Sequence, residues 1–455
     1  MRRMLRRRDD ADDLADPPAQ PSRSENLVDS DLRPEAQAAG KAAALSLISY
    51  VGRRAVSVFC GREDYDWVHL TPSPVICDLA LECLADFVHE SGGQIAHAAR
   101  IGDRDQVLNV MQKSVEVDGR GHRILQEGYL FIDFPKERVV ISAGENYSPG
   151  PPQMVIGVRW NRDAANFWDR WTAYAREHGY LIGRAFFADG EIIRHDRRYT
   201  WDDILLPDEA LGTIRTHVEG FLRHRLRLRG LGVKARRGLI LSGPPGTGKT
   251  LLGKVLADTL GASFMWVTPR HIRNAASFAE ILEVARFTAP TVVFLEDLDL
   301  FAEERDQHAW IGLGELMNQL DGAADNRDIV TIATTNRLDV IEKALRSRPG
   351  RFDRVVEFEA MDAGCRRRLL GRLLAQADLA DEDLDYLVQA TDDYTGAQLE
   401  EVANTLYMLA LERENDGDGA CEAEAAGPTV DRGLVDAALN DAQIERRGRL
   451  GFHAA

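Results

Sequence analysis

The stretch Gly238–Thr250, GLILSGPPGTGKT, decides the fold of this chain. Its first five residues are mainly apolar and predict a buried strand, and Leu251–Leu260 continues with the spacing of a helix. Between them, Gly243–Thr250 fits the pattern G-x-x-x-x-G-K-[ST], in which backbone N–H groups surround phosphate oxygens and the helix N-terminus favours anions. The predicted nucleotide-binding residues of this loop are Gly243, Pro244, Pro245, Gly246, Thr247, Gly248, Lys249, Thr250 and Leu251. In this pattern the lysine reaches the β- and γ-phosphates, and the threonine hydroxyl binds Mg²⁺.

The composition limits the class of protein. The 455 residues include 73 acidic and 56 basic ones, for a net charge of −17, and only seven of the basic residues are lysines. A lysine at the phosphate loop is therefore notable, while the acidic balance argues against a general nucleic-acid coat or a binder of anionic membranes. Five cysteines without a CxxC pair argue against a disulfide framework or a zinc ribbon. The few, odd-numbered cysteines fit a reducing compartment, so we expect a cytoplasmic protein. No apolar stretch approaches the roughly 20 residues of a membrane span.

A second motif, Thr291–Asp299 (TVVFLEDLD), provides carboxylates. Its four consecutive apolar residues, Val292–Leu295, predict a strand that is buried on both faces. Glu296 and Asp297 follow at the C-terminal end of this strand, the edge at which parallel sheets bind their ligands. Carboxylates at this position are typical of sites that hold a metal ion and polarise water during phosphoryl transfer.

Apolar runs alternate with helical segments through this half of the chain, which predicts an α/β fold with a parallel sheet and helices on both faces. The predicted strands are Gly238–Ser242, Phe264–Val267, Val292–Leu295, Ile329–Ala333 and Val355–Phe358. From Met361 the pattern indicates helices only, forming a small lid, with Thr429 as the N-cap of the last helix. The predicted organisation is a disordered tail (1–35), an α+β N-terminal domain (36–195), a large nucleotide-binding subdomain (196–360), a helical lid (361–445) with a flexible insertion (414–428), and a tail (446–455).

Residues 200–445 resemble an AAA-type module of the AAA+ ATPases. The resemblance includes both motifs above and several further segments in the family's order. These are WDDI at Trp201–Ile204, GELMNQLDG at Gly314–Gly322, IVTIATTN at Ile329–Asn336, ALRSRPGRFDR at Ala344–Arg354 and YTGAQL at Tyr394–Leu399.

The resemblance implies a role for individual residues. Asp203 and Ile204 match the segment whose backbone lines the adenine, and Gly396 and Ala397 match a lid segment near the nucleotide. By register Glu296 takes the metal-side role together with Thr250, and Asp297 takes the role of catalytic base. Asn336 matches the residue that positions the attacking water. Arg351 and Arg354 match the arginines that reach the γ-phosphate of the neighbouring subunit.

An arginine that acts on the next subunit requires a closed assembly, because it cannot fold back onto its own site. The resemblance therefore implies a ring, usually a hexamer, with ATP and Mg²⁺ at each site. It also implies a protein client or adaptor that the N-terminal domain recruits. We interpret the chain as an ATP hydrolase that couples hydrolysis to remodelling, disassembly or translocation of a protein client.

The chain departs from the family pattern at two places. The family's second motif usually ends Asp-Glu, whereas this chain has Glu296-Asp297, an order that resembles the mitochondrial translocase of a folded iron–sulfur protein. The segment Val267–Phe278 contains no aromatic–apolar–Gly triplet, which in substrate-threading relatives grips polypeptide. Trp266 and Phe278, at its flanks, are interpreted as core residues, and Arg270, His271 and Arg273 as alternative pore-lining residues.

Two functional alternatives stay open. The first is a nucleic-acid-stimulated AAA+ factor, which the arginine-rich segment Arg223–Arg237 could serve, although a subunit interface or pairing with acidic surface elsewhere explains this segment better. The second is a nucleotide-gated assembly scaffold with low turnover, motivated by the Glu-Asp order. A separate basic run, Arg366–Arg368, is interpreted as a solvated helix face.

Overall fold

The structure is a computed structural model, and it describes residues 59, 66–70, 72–101, 107–144, 153–158, 161–232, 236–300, 319–320, 326–339, 341, 352–416 and 427–451. The described chain divides into two compact units. Unit 1 comprises residues 1–71 and 81–169, and unit 2 comprises residues 72–80 and 170–455. The predicted tail 1–35, Arg351, most of the segment Gly314–Gly322 and the centre of the predicted insertion lie outside the described residues.

Unit 1 is built on an antiparallel sheet. Its strands are β1 (Asp66–Leu70), β2 (Gln94–Ile101), β3 (Val107–Leu108), β4 (Met111–Val117), β5 (Arg120–Asp133), β6 (Arg138–Gly144) and β7 (Gln153–Val158). Their order is β1-β7-β6-β5-β2-β3, with β4 paired to β5. The helix α2 (Leu84–Glu90) lies within this unit, and the division between the units falls within α1 (Pro74–Glu82) and α3 (Asn161–His178). Edge-to-face contacts of Phe167 with Phe87 and Phe134, at centroid distances of 5.7 and 6.1 Å, contribute to its core.

Unit 2 contains a six-stranded parallel sheet, which confirms the predicted fold class. Its strands are β8 (Ala185–Phe187), β9 (Arg236–Ser242), β10 (Ser263–Val267), β11 (Thr291–Leu295), β12 (Ile329–Thr335) and β13 (Arg354–Glu357), in the order β13-β9-β12-β11-β10-β8. Every residue of β10, β11 and β12 is buried, as expected of strands covered on both faces. The short strand β8 joins this sheet, although the sequence pattern placed it within the N-terminal segment 36–195.

Helices accompany the sheet between its strands. They are α4 (Asp208–Arg215), a π-helical turn (Thr216–Gly220), α5 (Phe221–Gly230), α6 (Lys249–Thr259) and α7 (Ala275–Phe287). Asn274 caps α7, since its side chain accepts a hydrogen bond from the Ser277 N–H at 2.9 Å. Trp266 and Phe278 are both buried, which confirms their interpretation as core residues.

The lid contains α8 (Ala363–Leu373), α9 (Asp381–Ala390), α10 (Gly396–Asp416) and α11 (Arg432–Gly451) around a separate core of Leu370, Leu387, Leu399, Leu406 and Val435. It is not purely helical, because β14 (Asp378–Leu379) pairs in parallel with β15 (Thr429–Val430). The prediction that Thr429 caps α11 is therefore wrong: Thr429 is a strand residue, and the Asp431 carboxylate accepts from the Leu434 N–H at 3.1 Å. Among the described residues, no helix is long and apolar enough to cross a membrane.

The interpretation of Arg366–Arg368 as a solvated face is also wrong for its first residue. Arg366 is 5% exposed and donates hydrogen bonds to the carbonyl oxygens of Val388 and Met361. Its guanidinium also pairs with Asp392 at 2.9 Å. Since a planar guanidinium offers several donors in a fixed arrangement, one buried arginine here connects the start of the lid with the end of α9.

Candidate functional site

The loop between β9 and α6 has the backbone conformation that a phosphate loop needs. Gly246 has a φ of 78°, which is accessible to glycine at little cost. At Gly243 a Cβ would lie 2.2 Å from the Phe358 carbonyl oxygen, so only glycine fits against this neighbouring segment. The first helical hydrogen bond of α6 runs from the Leu252 N–H to the Gly248 carbonyl. The free N–H groups at the start of α6 therefore point toward the loop, where an anion is stabilised.

Lys249 lies inside this loop. Its ammonium donates hydrogen bonds to the carbonyl oxygens of Gly243 at 2.6 Å and Pro244 at 2.8 Å. Lys249 is 7% exposed, and burial lowers the pKa of its ammonium, against the opposing effect of Asp297 and Asp299. A buried ammonium forms stronger hydrogen bonds with charged phosphate oxygens than with neutral carbonyl oxygens. Lys249 is therefore expected to bind phosphate oxygens when a nucleotide is present.

Thr250 and Glu296 meet at the C-terminal edge of the sheet. The Thr250 hydroxyl donates a hydrogen bond to Glu296 Oε1 at 3.0 Å. The other carboxylate oxygen, Oε2, accepts from the Trp266 indole N–H at 3.1 Å. Hydroxyl and carboxylate oxygens are the ligands that Mg²⁺ prefers, and this ion usually takes one or two carboxylates and completes its shell with water and phosphate. The two residues predicted to organise Mg²⁺ are thus in contact and chemically suited to it.

Asp297 follows in an unusual conformation. Its φ is 52°, in the left-handed region that Asp and Asn tolerate better than most residues. Its backbone N–H donates to the Thr334 hydroxyl at 3.0 Å. Burial raises the pKa of the Asp297 carboxyl, and the neighbouring charges of Glu296 and Asp299 raise it further, with Lys249 opposing them. A half-buried carboxyl whose pKa is shifted toward neutrality is suited to accept a proton from water.

Asn336 belongs to the same edge of the sheet. It follows β12, it is exposed, and its backbone N–H donates to Asp299 Oδ1 at 3.2 Å. Asp299 is 6% exposed, so its carboxylate is largely shielded from water. Asp299 and Thr334 were not among the predicted site residues, although both lie within two residues of a predicted one. They fix the backbone of the site, and the available signal was a polar residue just after one apolar strand, Asp299, and one within the next, Thr334.

The lid reaches the phosphate loop from α10. The Ala397 N–H donates to the Gly246 carbonyl at 3.1 Å, and a Cβ at Gly246 would lie 2.7 Å from the Ala397 methyl group. Gly396 lies at the same contact, since its own Cβ would be 3.3 Å from the Gly246 carbonyl oxygen. The structure therefore brings Gly396 and Ala397 to the loop.

The segment that precedes α4 is held by its own acidic residue. The Asp203 carboxylate accepts from the Thr200 N–H at 2.7 Å and pairs with Arg197 at 2.9 Å, and the Thr200 N–H lowers the pKa of this carboxyl most. Ile204 is buried, with its Cδ1 close to Gly248. The Asp203 side chain is thus engaged within the segment, and a ligand could use only its backbone.

The predicted arginines and pore residues have different outcomes. Arg354 lies in β13, the edge strand of the sheet, and is exposed. Within the described residues, its side chain makes no hydrogen bond or ion pair with another predicted site residue. His271 does not extend into solvent: its side chain is 8% exposed, its Nδ1 accepts from the Thr268 N–H at 3.0 Å, and burial lowers the pKa of its imidazole. His271 is therefore not a free pore-lining residue in this structure.

The arginine-rich segment pairs partly within the chain. Arg229 contacts Asp328, and Arg237 lies 3.8 Å from Asp353 with its guanidinium over the Phe221 ring. Pairing with acidic surface elsewhere was one of the interpretations of this segment, and these two contacts agree with it.

A parallel sheet with a glycine-rich phosphate loop, a lysine and carboxylates at its C-terminal edge defines a P-loop nucleotide-binding domain. The family model described as "ATPase family associated with various cellular activities (AAA)" matches residues 239–360. The chain contains an AAA ATPase domain, as its sequence predicted.

Curated relatives match about half of the chain. The chain is 35% identical to Protein SAV of Sulfolobus acidocaldarius over 227 residues, 48% of this chain and 29% of the relative. It is 31% identical to the ATP-dependent zinc metalloprotease FtsH 2 of Salinibacter ruber, with 56% of this chain and 39% of the relative covered. The Proteasome-activating nucleotidase 2 of Haloferax volcanii is 33% identical, over 47% of this chain and 55% of the relative. The matches thus span well under two thirds of each relative.

Proposed function

We propose that this protein binds ATP with Mg²⁺ and hydrolyses it. The observation that carries the proposal is the 3.0 Å hydrogen bond between the Thr250 hydroxyl and Glu296 Oε1, directly beside the Lys249 loop. It joins the residue types that bind phosphate and Mg²⁺ at the edge of the sheet where P-loop proteins bind nucleotides. Described residues include no cluster of three or more His, Cys, Asp or Glu that could hold a metal alone. A Mg²⁺ ion that shares its ligands with phosphate and water does not need one.

Each residue of the site has a distinct task in this proposal. Lys249 binds the β- and γ-phosphates, and Thr250 and Glu296 hold Mg²⁺, which neutralises phosphate charge when bound. Asp297 accepts a proton from the attacking water, and its raised pKa favours this role. Asn336 orients the water, with its backbone fixed by Asp299.

The active form in this proposal is a ring in which each site is completed by the next subunit. Arg354 is exposed on the edge strand β13, which supports a role toward a neighbouring molecule. An arginine supplied in trans stabilises the charge of the transition state and is worth about 10³–10⁵ in rate. Arg351 is assigned to the same role from its match to the family segment. A hexamer is the ring size that the family resemblance favours.

The work of hydrolysis in this proposal is remodelling of a protein client. Two of the relatives are named for acting with proteolytic machinery, a zinc metalloprotease and a proteasome-activating nucleotidase, and this supports a protein substrate. Because Trp266 and Phe278 are buried, no aromatic side chain flanking the segment Val267–Phe278 is available to grip a threaded chain. Unit 1 is proposed to recruit the client or its adaptor.

A single set of assays tests this proposal against its rivals. Phosphate release is measured with Mg²⁺ and ATP alone, then with an unfolded protein such as reduced casein, and then with single-stranded DNA or RNA. Stimulation by unfolded protein supports remodelling, and stimulation only by nucleic acid supports the nucleic-acid-dependent factor. ATP-dependent ring formation without phosphate release would contradict the hydrolase and support a nucleotide-gated scaffold.

A further inference from the structure

Trp266 is a core residue whose indole N–H contacts the metal-side carboxylate. Its indole N–H donates to Glu296 Oε2 at 3.1 Å, while the residue as a whole is 6% exposed. We propose that Trp266 is a positioning residue for Mg²⁺ binding. In this role it fixes the Glu296 carboxylate so that Oε1, next to the Thr250 hydroxyl, is presented to the metal. This inference rests on the proposed function.

The indole has no freedom to turn away from Glu296. Its ring lies 4.9 Å from the Phe294 ring and 6.0 Å from the Phe264 ring, centroid to centroid. It also lies against Gly253 of α6, where a Cβ would be 2.9 Å from Trp266 Cη2. An indole N–H can only donate, and a buried donor without an acceptor is costly. Trp266 therefore needs an acceptor at the place where Glu296 provides one.

The backbone of Glu296 is held in place as well as its side chain. Its backbone N–H donates to the Val267 carbonyl at 2.9 Å, which continues the pairing of β10 and β11 past the last strand residue. Its two carboxylate oxygens then have one donor each, Thr250 on Oε1 and Trp266 on Oε2. The main chain and both oxygens are thus restrained before any ligand binds.

This restraint matters because of the exchanged order of the two acidic residues. A glutamate has one more rotatable bond than the aspartate that the family pattern has at this position, and ordering it on metal binding costs more conformational entropy. A side chain already held in one orientation avoids this cost and binds the metal more tightly. Partners of metal ligands commonly change metal affinity by about 10–100-fold when they are removed.

The test removes the indole N–H and retains a ring. Trp266→Phe is compared with wild type by calorimetric titration of ADP, first in EDTA and then over a series of free Mg²⁺ concentrations. We expect the affinity for ADP in EDTA to be unchanged. The free Mg²⁺ concentration that gives half of the metal-dependent gain in ADP affinity should be about tenfold higher than in wild type. Trp171→Phe is the matched control, because Trp171 is also buried and its indole donates to the Ala80 carbonyl at 2.7 Å. It should leave the Mg²⁺ dependence unchanged.

A second variant, Glu296→Asp, separates the positioning role of Trp266 from its role in core packing. Glu296→Asp withdraws the carboxylate from the indole, so adding Trp266→Phe to it should cause no further change in Mg²⁺ dependence. If Trp266→Phe is not recovered folded, Trp266→Leu, which also removes the indole N–H, is measured in its place and should likewise raise the Mg²⁺ requirement. A wild-type Mg²⁺ requirement in folded Trp266→Phe, or in Trp266→Leu when Trp266→Phe does not fold, overturns the positioning role alone. A wild-type protein whose ADP affinity does not respond to Mg²⁺ overturns the proposed function and this role with it.

Discussion

The Lys249 ammonium donates to the Gly243 carbonyl oxygen at 2.6 Å, so the lysine of the phosphate loop is bonded to the first residue of its own loop. A second bond, to Pro244, completes the contact. Both acceptors are neutral carbonyls, and charged phosphate oxygens form stronger hydrogen bonds with an ammonium than neutral acceptors do. The lysine is therefore preorganised within the loop and gains when a nucleotide replaces these bonds.

Removal of this ammonium tests the phosphate loop. Lys249→Ala should weaken ATP binding by at least about 10–100-fold, because a hydrogen bond to a charged group is worth roughly 1.5–3 kcal/mol. Calorimetric or fluorescence titration with ATP measures this loss. Lys136→Ala, which removes the same charge from the exposed turn between β5 and β6, should bind ATP like wild type. Unchanged binding in Lys249→Ala would contradict the assignment of the loop.

Asp297→Asn tests the assignment of the catalytic base. Asparagine keeps the size of the side chain and tolerates the φ of 52°, but it cannot accept a proton from water. We expect ATP binding close to wild type and a fall in kcat of about 10²–10⁴-fold, the usual contribution of a general base. Single-turnover hydrolysis and ATP titration of the same preparation provide both values. Hydrolysis at the wild-type rate would overturn the role of Asp297.

The raised pKa of Asp297 also predicts a pH dependence of stability. An acid whose pKa is higher in the folded state binds its proton more tightly there, so the protein loses stability as pH rises from the ordinary value of 3.8 through the raised pKa. Asp297→Asn removes this penalty. Its gain in thermal midpoint over wild type should be absent at low pH, grow through this window and stay constant above it.

A control with the same backbone conformation is available for that measurement. Asp393 has a φ of 62° and is exposed in the lid, so Asp393→Asn changes the same side chain in the same region of φ without burial. It should show no pH-dependent gain of this kind. A gain in Asp297→Asn that is constant across pH would contradict the electrostatic explanation.

Asp258 on α6 holds the segment that leads to Trp201–Ile204. Its carboxylate accepts from the Tyr199 N–H at 2.7 Å and lies 2.9 Å from His195 Nδ1. Asp258→Ala leaves these groups without their acceptor and should lower the free energy of unfolding by about 1–3 kcal/mol. Asp258→Asn retains one acceptor oxygen and should lose less. Chemical denaturation of the three proteins measures the difference, and equal stability of Asp258→Ala and wild type would refute this role.

Five of the six strands of the unit 2 sheet could be predicted because each contains a short run rich in apolar residues. Val292–Leu295, for example, has no polar residue that a solvent-facing strand would need. The residues of the phosphate loop could be predicted equally well, because the glycine spacing and the rare lysine identify them. β8 was missed as part of this sheet because three residues carry too little periodicity, and its partner β10 is distant in sequence.

The contacts between elements could not be predicted in the same way. Trp266 was interpreted as core from its neighbours, which is correct, but the direction of its indole N–H depends on the register of β10 against β11. Arg366 was misinterpreted for a similar reason, because its burial follows from the packing of α8 on α9 and not from its own segment. Asp431 was missed as a cap since the β14–β15 pair shifts the start of α11.

The central claim is that two protomers share each site, and mixing two inactive variants tests it most directly. Lys249→Ala lacks a working phosphate loop but retains Arg354. Arg354→Ala retains the phosphate loop but lacks the arginine that acts on the neighbouring site. Each variant alone should hydrolyse ATP far more slowly than wild type. An equimolar mixture, allowed to exchange subunits, should regain activity well above the sum of the two. Arg354→Ala that hydrolyses ATP at the wild-type rate, or a mixture no more active than its parts, would contradict the claim.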